Sequence, residues 1–498
     1  MALARFFSRA ATAIGQHLSI GRDDLENFLE QTLIEVHFGE DCLKKENAYW
    51  TASLLINIVS RLYPRLALSG QSEFTAEMAS VALGINPDIE LVSAPQTPSV
   101  KIAIGTGTAQ PAETLCPGSS GWVASLVQDG TLPLSGPPNP YAASFAAGLA
   151  AAETFRRIFS ERLEDHHPIG NVRVSLLDFS ENSGVEEVLG PMDIGDVAFC
   201  GLGAVGNAAI WVLSRHEGLT GRATLIDHET IELSNLQRYV LALDADENVS
   251  KPELAMRAFA TGSLSVEPQP LTLCDYSSRL GDRPIQPTVC VSVDNFHDRR
   301  VAQALLPRLV VNGYTGKTDL GASWHYFDND KACLACLYFR EQEPSELNRM
   351  VSALGLDDIV VVQMIPDGKV LVSDHLRIIE KHRGLEENAL AAWEGKHIQD
   401  VYSSVTCGNL GIAVNGQETE VVPLAHQSVL AGVLMASELV KRTTSLAERS
   451  QAENLANWPN ILKSTPKRWC YSIPPTKNCI CSDDDYLNVY KEKWSSDE

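Results

Sequence analysis

The sequence predicts an α/β protein, a parallel sheet between helices, with a second and smaller unit of the same grammar ahead of it. Three observations lead there. Strand-like and helix-like runs alternate across 197–314. The first of those strands, DVAFC, runs into the glycine loop GLGAVG and then a helix. A similar alternation, without a phosphate-gripping loop, occupies 65–107.

From the N-terminus, residues 1–64 predict mainly helix. DLENFLEQTLIEV and YWTASLLINIVSRLY space their apolar residues three and four apart. RLALSG at 65–70 predicts a short buried strand, and FTAEMASVALG at 74–84 a helix closed by glycine. IELVSA at 89–94 and VKIAIGTG at 100–107 predict further strands, and the Pro-, Gly- and Ser-rich stretch 108–140 predicts loop. YAASFAAGLAAAETFRRIF at 141–159 predicts a helix whose alanines and Gly148 allow close approach to another helix. After a charged, loop-forming stretch at 160–190, DVAFC, RATLID, TVCVSV and RLVVNGY supply the four strands of the second unit. VVVQMIPDGKVLV at 360–372 predicts a hairpin turning at Pro-Asp-Gly. QSVLAGVLMASELVKR at 427–442 predicts a long apolar helix, followed by a polar tail at 443–498 with three cysteines.

Composition narrows the function. The chain has 498 residues, 44% hydrophobic and 21% charged, and a formal charge of −23. A phosphate backbone needs concentrated Lys and Arg, so the acidic balance disfavours nucleic acid. No apolar run approaches the ~20 residues of a membrane span, and residues 1–14 lack the pattern of a secretory leader. An odd count of 11 cysteines in so large a chain argues against a disulfide framework and for a reducing cytoplasm.

The chemistry concentrates around the glycine loop. Gly201, Gly203 and Gly206 form GxGxxG directly after a strand, which brings backbone amides and a helix N-terminus against phosphate. Asp227 ends the next strand, 24 residues beyond Gly203, and can accept a ribose hydroxyl. Asn235, Arg238 and Lys251 follow, and Asp294 closes the TVCVSV strand. Strand ends converge in an open α/β sheet, so these residues can share one pocket. Cations near a triphosphate with a carboxylate for Mg²⁺ suit transfer at phosphorus.

GLGAVG, LIDHETIELSNLQRY, Lys251 and SVDNFHDRR resemble the adenylation domain of ubiquitin-activating enzymes and of the wider ThiF and MoeB family. The narrower resemblance is to the activating proteins of bacterial ubiquitin-like conjugation systems associated with anti-phage defence. It implies a Rossmann-like adenylation fold that binds MgATP and adenylates the C-terminal glycine of a ubiquitin-like protein. It also implies roles: Gly201, Gly203 and Gly206 in the ATP loop, Asp227 at ribose, Asn235, Arg238 and Lys251 at phosphates, Asp294 at Mg²⁺. Two positions depart from the family pattern. Asp227-His228-Glu229 replaces D-x-D, and Tyr239 stands where a basic or amide residue is usual.

By the same resemblance, residues 1–165 form an inactive, degenerate adenylation-like unit that makes an intramolecular pseudo-dimer with the active unit at 166–442. The tail at 443–498 completes a zinc site. A further homodimer stays open.

The cysteines divide by chemistry. Cys333 and Cys336 form CxxC, and Cys479 and Cys481 form CxC, a set able to hold Zn²⁺, with Cys470 as the alternative fourth ligand. A redox pair or plain structural thiols are the other readings. Cys407, in SVTCGN ahead of the 427–442 helix, resembles the cysteine that accepts the modifier as a thioester in related enzymes, with a plain buried thiol as the other reading. Transfer to a conjugating-enzyme-like partner would follow. Cys42, Cys116, Cys200, Cys274 and Cys290 read as buried small hydrophobes. Three rival functions remain: a sulfur-carrier or peptide adenylating enzyme without a thioester step, an NAD-dependent oxidoreductase, and a noncatalytic adaptor.

Overall fold

In the computed structural model of the chain, the described residues are 3–15, 18, 20–93, 96–163, 169–281, 283–338, 346–365, 369–383, 385, 388–406 and 422–495. Contacts divide the chain into one unit of Met1–Phe339 with Pro423–Glu498 and a second of Arg340–Val422.

The N-terminal half of the first unit is an α/β layer. Strands β1 (Ile34–Phe38), β2 (Arg65–Ser69), β3 (Glu90–Leu91) and β4 (Val100–Ile104) form a parallel sheet in the order β3-β2-β1-β4. A parallel bridge between Ile102 and Leu115 links β4 to β5 (Cys116–Ser120). Strands β5, β6 (Val123–Val127) and β7 (Val172–Ser175) pair antiparallel. Two sequence expectations fail here. Residues 34–38 are the central strand rather than helix: the preceding helix stops at Gln31, and Ile34, Val36 and Phe38 alternate into the core. Residues 116–127 are strands rather than loop. Their Pro, Gly and Ser mimic a turn, yet Trp122, Val123, Ala124 and Leu126 are fully buried.

The second half repeats the strand order. Strands β8 (Met192–Cys200), β9 (Leu219–Ile226), β10 (Ser265–Gln269), β11 (Thr288–Val291), β12 (Leu309–Thr315), β13 (Leu320–Tyr326), β14 (Leu455–Trp458) and β15 (Cys470–Tyr471) run β10-β9-β8-β11-β12-β13-β14-β15. The first five are parallel and the rest antiparallel. The order reverses between β8 and β11, which makes their carboxyl ends the switch point where open α/β sheets place a ligand crevice.

Two 19-residue helices, Pro140–Ile158 and Ala425–Thr443, pack against each other and join the halves. A Cβ on Gly148 would stand 2.8 Å from Leu430 Cδ2, so this close approach needs glycine, as the small-residue pattern predicts. Glu153 and Glu438 each stand thirteen residues after the start of their helix, and each carries cations at the third and fourth positions beyond. Glu153 pairs with Arg156 and Arg157, and Glu438 with Lys441 and Arg442. The cations then reach across reciprocally. Lys441 Nζ donates to the carbonyls of Leu176 (2.7 Å) and Leu177 (3.1 Å), just after β7. Arg156 Nη1 donates to Ile461 (2.5 Å) and Lys463 (3.3 Å), just after β14. These ties, with β14 and β15 extending the main sheet, group residues 1–339 and 423–498 together, whereas the sequence divides them at 165 and 442.

The second unit contains helices Glu346–Leu354, Asp358–Met364, Ser373–Arg383 and Ile398–Thr406 around Leu354, Val361, Leu371, Ile379 and Ile398. The hairpin expected at 360–372 is therefore corrected: its first arm is helix. The Asp357 carboxylate accepts from the Ile359 amide at 3.0 Å, and burial falls on Val361 and Met364, three apart. An N-cap and a helical stripe outweigh the strand propensity of three valines. The turn residues Pro366, Asp367 and Gly368 lie outside the described residues.

Candidate functional site

The crevice is built by the segments that leave β8, β9 and β11. Gly201 leaves β8 with φ +86°, a conformation that favours glycine. Its carbonyl accepts from Ser292 Oγ at 2.7 Å, which ties the exits of β8 and β11 together. Gly203 caps the Ala204–Leu213 helix, whose first turn carries no acid, so its amide end can receive an anion. A Cβ on Gly206 would meet the Gly201 carbonyl at 2.4 Å and Ser292 Oγ at 2.7 Å. Gly206→Val is therefore expected to push the loop out of register and abolish MgATP binding by calorimetry. Wild-type affinity in this variant would contradict the loop assignment.

Asp227 leaves β9 half-buried. One carboxylate oxygen accepts the Leu202 amide at 2.7 Å and the other accepts the Glu229 amide at 3.0 Å, so the acid is anchored to the glycine loop. Asn235 sits in a 3-10 turn, Leu233–Gln237, where its side-chain carbonyl accepts the Glu232 amide at 3.0 Å. Any phosphate contact of Asn235 thus falls to its NH₂ group. Arg238 follows that turn, its guanidinium 5.5 Å from the Tyr239 ring centre.

Lys251 opens the Lys251–Ala258 helix, with Nζ paired to Glu229 and 5.3 Å from the same Tyr239 ring. Lys251 is 5% exposed. Burial alone would depress its pKa, but Tyr239, Asp227 and Glu229 together raise it, so it stays charged. Glu229 is the exposed partner of this pair; its partial desolvation opposes ionisation, and Lys251, His228 and Arg238 outweigh it, which holds this carboxyl below its ordinary range. Tyr239, the departure from the family pattern, is buried with two cations near its ring.

Asp294 is exposed, three residues beyond β11. The buried Arg299 supports its loop: the guanidinium donates to the Val293 carbonyl, to Asn312 Oδ1 and to the Gly313 carbonyl (3.2 Å). Sequence reasoning missed Arg299 and the Glu229–Lys251 pair. An arginine five residues past Asp294 within the same DNFHDRR run was the available signal for the first.

The paired cysteines converge. Cys333, Cys336, Cys479 and Cys481 place their Sγ atoms within 4.8 Å of one another. Separations are 3.9 Å for Cys333–Cys336, 3.5 Å for Cys333–Cys479 and 3.4 Å for Cys336–Cys481. Tetrahedral Zn–S bonds of about 2.3 Å would set sulfurs about 3.8 Å apart, so the cluster fits Zn²⁺. Cys470 is in β15 and outside this group. Burial raises the thiols of Cys42 and Cys200 to about 12 and that of Cys116 to about 11. Cys290 is buried, but Cys274 is exposed, contrary to its expected burial. Cys407 lies outside the described residues.

A glycine loop at the sheet's switch point with an acid anchored to it is the arrangement of a nucleotide-binding α/β protein, and the family match makes the class adenylyltransferase-like. The chain belongs to the ThiF family, which residues 193–479 match. Residues 38–160 match Prokaryotic E2 family C. The uncharacterized protein y4jF of Sinorhizobium fredii is 32% identical over 515 residues, spanning 100% of this chain and 98% of its own. Among solved structures, E. coli MccB with N-formylated MccA is 15% identical over 58% of this chain and 67% of that one, with a TM-score of 0.36. E. coli MccB with ATP is 15% identical over the same shares, with a TM-score of 0.35. Among the described residues, no helix is long and apolar enough to cross a membrane.

Proposed function

We propose that the chain activates the C-terminal glycine of a ubiquitin-like protein with ATP and then takes the modifier onto Cys407 as a thioester. The observation that carries the reading is the β8–β11 crevice, with Asp227 anchored to the glycine loop and Lys251 held charged beside it, in a chain of the ThiF family. A carboxylate oxygen of the modifier attacks the α-phosphorus of ATP. The new O–P bond replaces the α–β anhydride bond, and pyrophosphate leaves. That carboxylate is already an anion, so no base is needed. Asn235, Arg238 and Lys251 serve the phosphates and their developing charge. Asp294 is suited to hold Mg²⁺, which supplies further charge neutralisation when bound. The Cys407 thiolate then attacks the acyl carbon and AMP leaves.

The Prokaryotic E2 family C match adds a question about the thiol. The two cysteines within 38–160, Cys42 and Cys116, are buried with raised thiols, which favours a carrier elsewhere. Exchange of labelled pyrophosphate into ATP, in the presence of ubiquitin-like proteins that end in glycine, tests the first step. It should require the terminal glycine. A reducible modifier adduct should vanish in Cys407→Ser and persist in Cys274→Ser. Exchange with no adduct would favour an enzyme that stops at the adenylate, and NAD turnover without exchange would overturn the reading.

The four-cysteine group is proposed to hold one structural Zn²⁺ that ties the tail to the Cys333–Cys336 turn. Plasma emission should find about one zinc per chain in the wild type and a clear loss in Cys336→Ser. A wild type purified without zinc that keeps its Tm on adding zinc would remove this assignment.

A further inference from the structure

The loop that follows Asn235 is gripped by two side chains from the other half of the molecule. Arg61, in the turn after the Glu46–Val59 helix, is 2% exposed. Its Nη1 donates to the Leu236 carbonyl, its Nη2 to the Ala242 carbonyl at 2.9 Å, and its Nε to Asn57 Oδ1 at 3.1 Å. Asn57, itself buried, passes the grip on: its Nδ2 donates to the Val240 carbonyl at 2.9 Å. From the nucleotide side, Asn207 Oδ1 accepts the Leu241 amide at 2.7 Å. The backbone from 236 to 242 is thus held from both halves, and Arg238 and Tyr239 lie inside the held segment.

The choice of residue matters. The Arg61 guanidinium donates to two carbonyls and an amide oxygen, neutral acceptors rather than a carboxylate. Burying an arginine among neutral acceptors is costly, and an apolar side chain would fill the space more cheaply. What an apolar side chain could not do is satisfy the buried carbonyls of a segment with only one 3-10 turn of regular structure. Left without Arg61, those carbonyls must move toward water, and Arg238 moves with them.

We propose that Arg61, assisted by Asn57, is a positioning residue through which the N-terminal half sets the triphosphate contacts of the nucleotide half. The proposal rests on the nucleotide reading above. It assigns the segment matching Prokaryotic E2 family C a part in ATP binding that needs no thiol of its own.

The test is calorimetric titration of the full chain with MgATP and, separately, with adenosine, which lacks the phosphates. Arg61→Met should weaken MgATP about tenfold, the size of one lost charge-assisted contact, and change adenosine by less than about twofold. Arg61→Lys, with one donor group in place of a fork, should fall between. A folded Arg61→Met with wild-type MgATP affinity overturns the proposal, and so does an equal loss for both ligands, which would mean general loosening. If Arg61→Met does not fold, Asn57→Ala decides on the same pair of titrations. Selective weakening of MgATP supports positioning, and unchanged MgATP removes it. A wild type that binds adenosine but not MgATP removes the nucleotide-site reading itself, before any variant is compared.

Discussion

Lys251→Ala should lower ATP–pyrophosphate exchange by about two to three orders of magnitude in a chain that remains folded. Lys251 is buried yet kept cationic by Tyr239, Asp227 and Glu229, so its charge is preset before the phosphates arrive. A preset charge costs no reorganisation when the transition state forms, and its removal takes from Glu229 its ion-pair partner, leaving only the more distant charges of His228 and Arg238 against it. Lys251→Arg should retain part of the activity, because charge survives while geometry shifts. The pH dependence follows from the signs. The Lys251 pKa is raised, so its contribution is complete below its ordinary value of 10.5 and fades only as pH rises beyond the folded value. The Glu229 pKa is lowered, so its contribution is present above its ordinary 4.5 and fades as pH falls through the folded value. Between pH 6 and 9 this pair should impose no slope on exchange. An Lys251→Ala chain with undiminished exchange would remove the lysine from the site.

Glu438→Ala should destabilise the first unit by about 3–5 kcal/mol, read as a fall in the urea midpoint. Glu438 is fully buried, 2.5 Å from Lys441 Nζ and 3.1 Å from Arg442 Nε, and Lys441 is fully buried too. Removing the acid takes the counter-charge from two cations in the seam between the halves, Lys441 and Arg442, and burial already pushes the Lys441 pKa down. A double change, Glu438→Leu with Lys441→Met, should recover much of the loss, since a buried pair replaced by apolar side chains often costs little. It would also leave the carbonyls of Leu176 and Leu177 without their donor, so recovery should be incomplete. Glu153→Ala should act similarly through Arg156. If Glu438→Ala leaves the midpoint unmoved, the seam does not depend on these charges.

Much of the nucleotide half is readable in sequence because each signal there is local. Gly201 to Gly206 make a turn and a helix start from adjacent residues, and Asp227 is a strand end. The N-terminal half is harder. Its central strand, 34–38, follows a helix so closely that the apolar spacing reads as continuous. Its strands at 116–127 are rich in Pro, Gly and Ser because neighbouring backbone packs tightly there: a Cβ on Gly118 would meet the Leu134 carbonyl at 2.4 Å. The helix at 358–364 shows the opposite error, strand-prone residues kept helical by a cap and a core.

Motif and spacing alone were enough for the α/β class, the glycine loop and its acid, and the pairing of CxxC with CxC, since each depends on a few neighbours or on ligand chemistry. Three-dimensional packing alone revealed Glu229 as the partner of Lys251, selected Cys481 over Cys470 in the four-sulfur group, and brought Arg61 to a loop 175 residues away. Those contacts join segments remote in the chain, and no periodicity or local propensity encodes which remote segments will meet. That is decided by which strands share a sheet and which helices pack across the seam.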